Sequence, residues 1–116
     1  MKINGKNVED YLNSLSCAEL LERDNNDYLI SFRLDSGSDI AFDPRTKTKA
    51  SIFIGTLPEE LLTVTGIGKV IKYPPENPST ALKRVSSQLD RLPIKYKVEV
   101  QTIDALHQLI ESQKKT

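Results

Sequence analysis

The chain has 116 residues, 38% hydrophobic and 28% charged, with four Tyr and no Trp, which suits one domain around a modest aliphatic core. No apolar run approaches the ~20 residues of a membrane-crossing helix, Met1 to Asp10 holds no signal-peptide core, and a lone Cys17 forbids an internal disulfide, so a cytoplasmic setting with no membrane is expected. The formal net charge is zero but uneven: residues 1–43 hold four Lys/Arg against nine Asp/Glu, and residues 44–116 hold twelve against seven; this is either internal balancing or a basic binding face.

Asn7 predicts a helix cap, with Val8, Tyr11, Leu12 and Leu15 at helical spacing behind it. Ser16 to Glu19 has the form of a second capping box, with Leu15 and Leu20 placed as a hydrophobic staple, so one kinked helix or two short ones are favoured. The competing reading takes Glu19 to Arg23 as the first arm of a hairpin turning at Asp24 to Asp27. Tyr28, Ile30 and Phe32 alternate with Leu29, Ser31 and Arg33, as in a strand. A turn at Asp35 to Ser38 leads into a return strand over Asp39 to Phe42, ended by Asp43 and Pro44. Ser51 to Gly55 predicts a short strand. Pro58, Glu59 and Glu60 predict at most a helical turn. The β-branched run Thr63 to Tyr73 predicts a strand stopped by Pro74 and Pro75. Asn77 and Pro78 predict a helix start, with Leu82, Val85 and Leu89 as its buried stripe. Ile94, Tyr96, Val98 and Val100 alternate with Lys95, Lys97 and Glu99 in a half-exposed strand. Thr102 caps a last helix with Ile103, Leu106, Leu109 and Ile110 inward. The expected fold is one α+β domain over residues 1–116, a small mainly antiparallel sheet or partly closed barrel of about five strands with three helices.

Few residues suit catalysis. A nucleophile needs an adjacent base; the one histidine, His107, reads as a boundary residue beside Leu106 and Ile110, and Cys17 as a small core residue. Structural zinc needs several Cys and His at ligand spacing, and the chain has one of each. Asp35, Asp39 and Asp43 recur around a hairpin without the loop of a calcium site, so turn solvation accounts for them. Asp39, Asp43, Glu99 and Lys97 make a nuclease set only by free choice. No metal or other cofactor is expected, and an enzyme is not favoured.

Gly66-Ile67-Gly68-Lys69 carries Val70 where a phosphate loop needs Ser or Thr. Its glycines suit a bulge or bend in a strand. The paired leucines and Gly-Ile-Gly of residues 61–70 also resemble the helix-hairpin-helix DNA-binding motif, which implies backbone amides meeting a phosphate. Gly66 to Lys72, then Pro75 and Pro78, then Tyr96 to Val100 resemble the strand order of PUA-like barrels of the EVE type, over residues 51–105. That resemblance implies binding of a modified base in RNA or DNA among aromatic side chains, here Phe53, Tyr73 and Tyr96.

The basic residues fall in groups. Arg45, Lys47 and Lys49 share a loop; Lys83, Arg84 and Arg91, with Ser87 and Gln88, share the polar side of the Asn77 helix; Lys95 and Lys97 share a strand face. Each group alone reads as a solvated face, but together they are what phosphate contacts use. The leading expectation is a non-catalytic domain binding DNA or RNA through these cations and Lys69, with backbone approach at Gly66 and Gly68. The alternative is a protein-binding inhibitor, immunity or adaptor protein, with an acidic surface at Asp24, Asp27, Asp35, Asp39 and Asp43. A contiguous positive groove favours the first, and an acidic patch with exposed apolar residues the second.

Overall fold

A computed structural model describes residues 3–20, 30–47, 50–73 and 95–114. In chain order these form α1 (Gly5–Asn13), β1 (Ala18–Leu20), β2 (Ile30–Leu34), β3 (Asp39–Phe42), β4 (Ala50–Ile54), a 3-10 turn (Glu59–Thr63), β5 (Ile67–Tyr73), β6 (Lys95–Val100) and α2 (Ile103–Lys114). The strands make one six-stranded sheet in the order β1-β2-β3-β4-β6-β5, and every pairing is antiparallel. The sheet is open, not a partly closed barrel: among the described residues β1 and β5 are its two edges. The helix expected after Asn77 lies outside the described residues, so α1 and α2 are the helices seen. None of the helices described is long and apolar enough to cross a membrane.

The start of α1 corrects the cap assignment. Asn4 is the cap and Asn7 the third helical residue. Asn4 Oδ1 accepts the Asn7 backbone N–H at 2.9 Å, and Asn7 Oδ1 accepts the Asn4 N–H at 3.0 Å. This is a reciprocal capping box, with Asn in place of the usual Glu or Gln. No second helix follows. Ala18 pairs with Leu34 and Leu20 with Phe32, so the competing hairpin-arm reading describes this segment better. The reason is tertiary: the β2 edge offers unpaired backbone groups, and pairing satisfies them where a three-residue helix could not. Cys17 is half-buried in the turn before β1, not a core residue; its carbonyl accepts the Asp35 N–H at 2.9 Å.

Strand parity divides the sheet into two faces. Phe32, Leu34, Ile40, Phe42, Ile52, Ile54, Val98 and Val100 build the core with Val8 and Leu12 of α1, Leu61 of the turn, and Leu106, Leu109 and Ile110 of α2. Phe32 and Phe42 stack with centroids 6.1 Å apart. Ser31, Asp39, Ala41, Phe53 and Lys95 have the opposite parity and are also buried.

Thr102 caps α2 as expected, its hydroxyl accepting the Ala105 N–H at 3.1 Å. Ile103, expected inward, is 41% exposed, and Ala105 takes the buried position. Near the other end of α2, buried Gln113 donates from Nε2 to the Thr56 carbonyl at 2.8 Å and accepts the Ser36 hydroxyl on its backbone carbonyl at 3.0 Å. The helix is thereby tied to the β2–β3 turn and to the loop after β4.

Candidate functional site

Among the described residues the basic groups differ in burial and pairing. Lys49, Lys83, Arg84 and Arg91 lie outside those residues. Arg45 folds back on Asp43, with Nε and Nη2 each 3.1 Å from a carboxylate oxygen and its backbone N–H donating at 2.8 Å. Burial pushes the Asp43 carboxyl up, but the Arg45 hydrogen bonds and the Arg45 and Lys97 charges outweigh it and hold it below its ordinary value. Lys95 is only 5% exposed, so the face expected to be solvated is closed there. Lys97 is half-buried, with Nζ 5.7 Å from the centre of the Phe53 ring. Lys47, Lys69 and Lys72 are exposed. The last two stand on edge strand β5, where lysines discourage pairing with another chain.

The two glycines have packing roles. Gly66 has φ +99°, accepts the Gln101 N–H on its carbonyl at 2.8 Å, and lies so close to α2 that a Cβ would be 2.6 Å from Thr102 Oγ1. A Cβ on Gly68 would meet Glu99 Oε1 at 2.9 Å. The pairing of β5 with β6 shifts register between Ile67 and Val70, the bulge that the glycines suggested. A helix-hairpin-helix is not formed, because residues 59–63 are a 3-10 turn and residues 67–73 a strand. The strand begins at Ile67, four residues later than its β-branched run suggested.

The described members of the acidic set differ in burial. Asp24 and Asp27 lie outside the described residues, and Asp35 is exposed. Asp39 is 2% exposed, and turn solvation does not account for it. It accepts Arg33 Nε at 2.7 Å and Nη2 at 3.3 Å across the β2–β3 hairpin. The hydrogen bonds and charge of Asp39 hold the Arg33 guanidinium above its ordinary value.

A different site emerges between the 3-10 turn and α2. Pro58 starts the turn; Leu61 anchors it in the core and donates its N–H to the Pro58 carbonyl at 3.1 Å. A five-residue turn cannot bury two neighbouring leucines on one side, so Leu62 points away and is 53% exposed. Against Leu61 lies a hollow of about 340 Å³ lined by Pro58, Glu60, Leu61, Val64, Gln108, Glu111 and Ser112. An adjoining hollow of about 470 Å³ is lined by Val64, Thr65, Thr102, Asp104, His107 and Gln108. They share Val64 and Gln108 and so form one groove. Glu60, Asp104 and Glu111 contribute carboxylates, and among the described residues no Lys or Arg lines either hollow. His107 is exposed on the groove, and its Nδ1 is 2.8 Å from the Tyr11 hydroxyl, linking α2 to α1. Burial, then the Glu111 charge, pushes the Tyr11 phenol up.

Sequence reasoning missed this groove because its walls are about forty residues apart in the chain. The available signal was Leu61-Leu62 in a turn too short to bury both. Among the described residues no three His, Cys, Asp or Glu side chains gather to hold a metal ion. Comparison with family models, curated proteins and solved structures finds no match to this chain.

Proposed function

We propose that this chain is a non-catalytic binding domain that holds a protein partner in the groove between the 3-10 turn and α2. The observation that carries the reading is a hollow walled by Pro58, Leu61 and Val64 whose charged lining, among the described residues, is all carboxylate, with exposed Leu62 next in the chain to Leu61. An apolar centre with a polar rim is how protein interfaces are built. Phosphates would be repelled by Glu60, Asp104 and Glu111, so the groove does not favour a nucleic acid. Binding of DNA or RNA is the competing reading, through Lys47 and Lys69 with the cations outside the described residues. Base capture in the PUA-like manner is not favoured by Phe53, which is buried beneath Lys97.

Photo-crosslinking tests the choice. A crosslinker at position 62 is expected to give one discrete protein adduct, and the same group at position 72 none. The captured protein, purified and recombined with the chain, should lose about tenfold in affinity on Leu62→Glu. An adduct with nucleic acid at position 72, and none with protein at position 62, would overturn the proposal.

A further inference from the structure

We infer that the occupant of this groove is an amphipathic helical segment of the partner, with two Lys or Arg one heptad apart and a large apolar residue between them. The inference rests on the protein-binding reading and specifies its chemistry. Asp104 and Glu111 are seven residues apart on α2, two turns along one face. At 1.5 Å per residue that separates them by roughly 10 Å. Cations at i and i+7 of a partner helix have the same spacing, and position i+3 or i+4 then faces the groove between them. The wall that faces them from the turn is apolar: Leu61 forms the floor and half-buried Val64 packs against the core beside it, while on α2 itself Gln108 lies between the two carboxylates.

Charge selects the sign of the partner. Glu60 faces the groove from the turn, opposite the α2 carboxylates. Lys114 approaches Glu111 at 3.4 Å from outside the lining and offsets part of that one charge. Glu60 and Asp104 make no ion pair with a described residue, which leaves their carboxylates for a ligand. Among the described residues His107 is the remaining titratable side chain in the lining. Complementary charge steers encounter and fixes register more than it adds affinity. The apolar residue is therefore the anchor and the cations the selectors.

Three short helical peptides test this by fluorescence anisotropy on the full chain, each with the same central leucine. One carries Lys at i and i+7, one Gln there, and one Glu. The Lys peptide is expected to bind about tenfold tighter than the Gln peptide, with an affinity that falls as salt is raised. Glu60→Gln with Asp104→Asn should remove most of that preference, with unfolding midpoints confirming that the variant is folded. Amide chemical-shift changes should fall on residues 60–64 and 104–111. Equal binding of the Gln or Glu peptide at those residues would overturn the cationic inference and leave the protein-binding reading standing. Absence of binding by the Lys peptide, or shifts confined to β5, would also overturn it. The crosslinking at position 62 decides the broader reading independently.

Discussion

The groove beside α2 and the basic residues around β3, β5 and β6 carry opposite charges, and the fold treats them differently. In the groove, Glu60 and Asp104 face open space beside an apolar floor. On the basic side, Arg45 is held by Asp43, Lys95 is buried, Lys97 covers Phe53, and exposed Lys69 and Lys72 lie along an edge strand. A count of charges by sequence half does not show which of those charges the fold pairs or buries. Charge marks a docking surface only where the fold has not already used it, and where apolar area lies beside it to supply the affinity.

The sharpest way to break this comparison is to loosen the groove wall. Leu106→Ala removes a fully buried side chain from α2 and is expected to cost about 3 kcal/mol of stability in denaturant unfolding. A loss below about 1 kcal/mol would mean that α2 is not part of the cooperative core.

The two Asp–Arg pairs separate a buried charge from an exposed one. Asp39 has a side chain 1% exposed and Asp43 one 30% exposed. Arg33→Ala leaves a buried carboxylate with a partner removed and should cost about 2 kcal/mol. Arg45→Ala should cost about 0.5 kcal/mol. Equal losses would show that both pairs are effectively solvated. The second pair also has a pH signature. The folded Asp43 carboxyl lies below its unfolded value, so its contribution is present above the ordinary carboxylate range and fades as pH falls through the lowered folded value. Unfolding midpoints measured down an acid series should show this component, and Arg45→Ala should remove it.

Gly66 and Gly37 form a smaller contrast. Both have positive φ, +99° and +91°, but a Cβ on Gly37 would meet nothing within 4 Å. Gly37→Ala should cost about 1 kcal/mol from backbone strain alone. Gly66→Ala should cost about 2 kcal/mol, because it also drives into Thr102 and Ala105 at the head of α2. Thermal unfolding of the pair isolates the packing component. The smallest stability effect is expected at Leu62, where Glu should change unfolding free energy by less than about 0.5 kcal/mol while weakening partner binding. A large stability loss there would make Leu62 a structural residue and not a contact for a partner.

Much of the fold was legible because it repeats locally. The alternation of Ile30 to Leu34, the Asp35–Ser38 turn, the return strand to Phe42 and the strand to Val100 depend on a two-residue period that solvent and core impose directly. The Thr102 cap was legible for the same local reason. Ala18 to Leu20 was not, because its capping-box pattern competes with a strand edge that exists only after β2 and β3 have paired. Lys95 and Asp39 were misread as solvated because alternation assigns a side chain to a face without saying whether that face is closed.

By itself, then, the sequence determined most of the described elements, β1 excepted: the periods, the turns, the glycine bulge at Gly68 and the scarcity of histidine and cysteine for metal or nucleophilic chemistry. Only the tertiary structure decided which charges remain available. Ion pairs, burial and the groove between residues 58–64 and 102–112 join parts of the chain with no local signal in common. The zero net charge of the sequence thus became a groove lined by carboxylates on one side and an edge strand guarded by lysines on another.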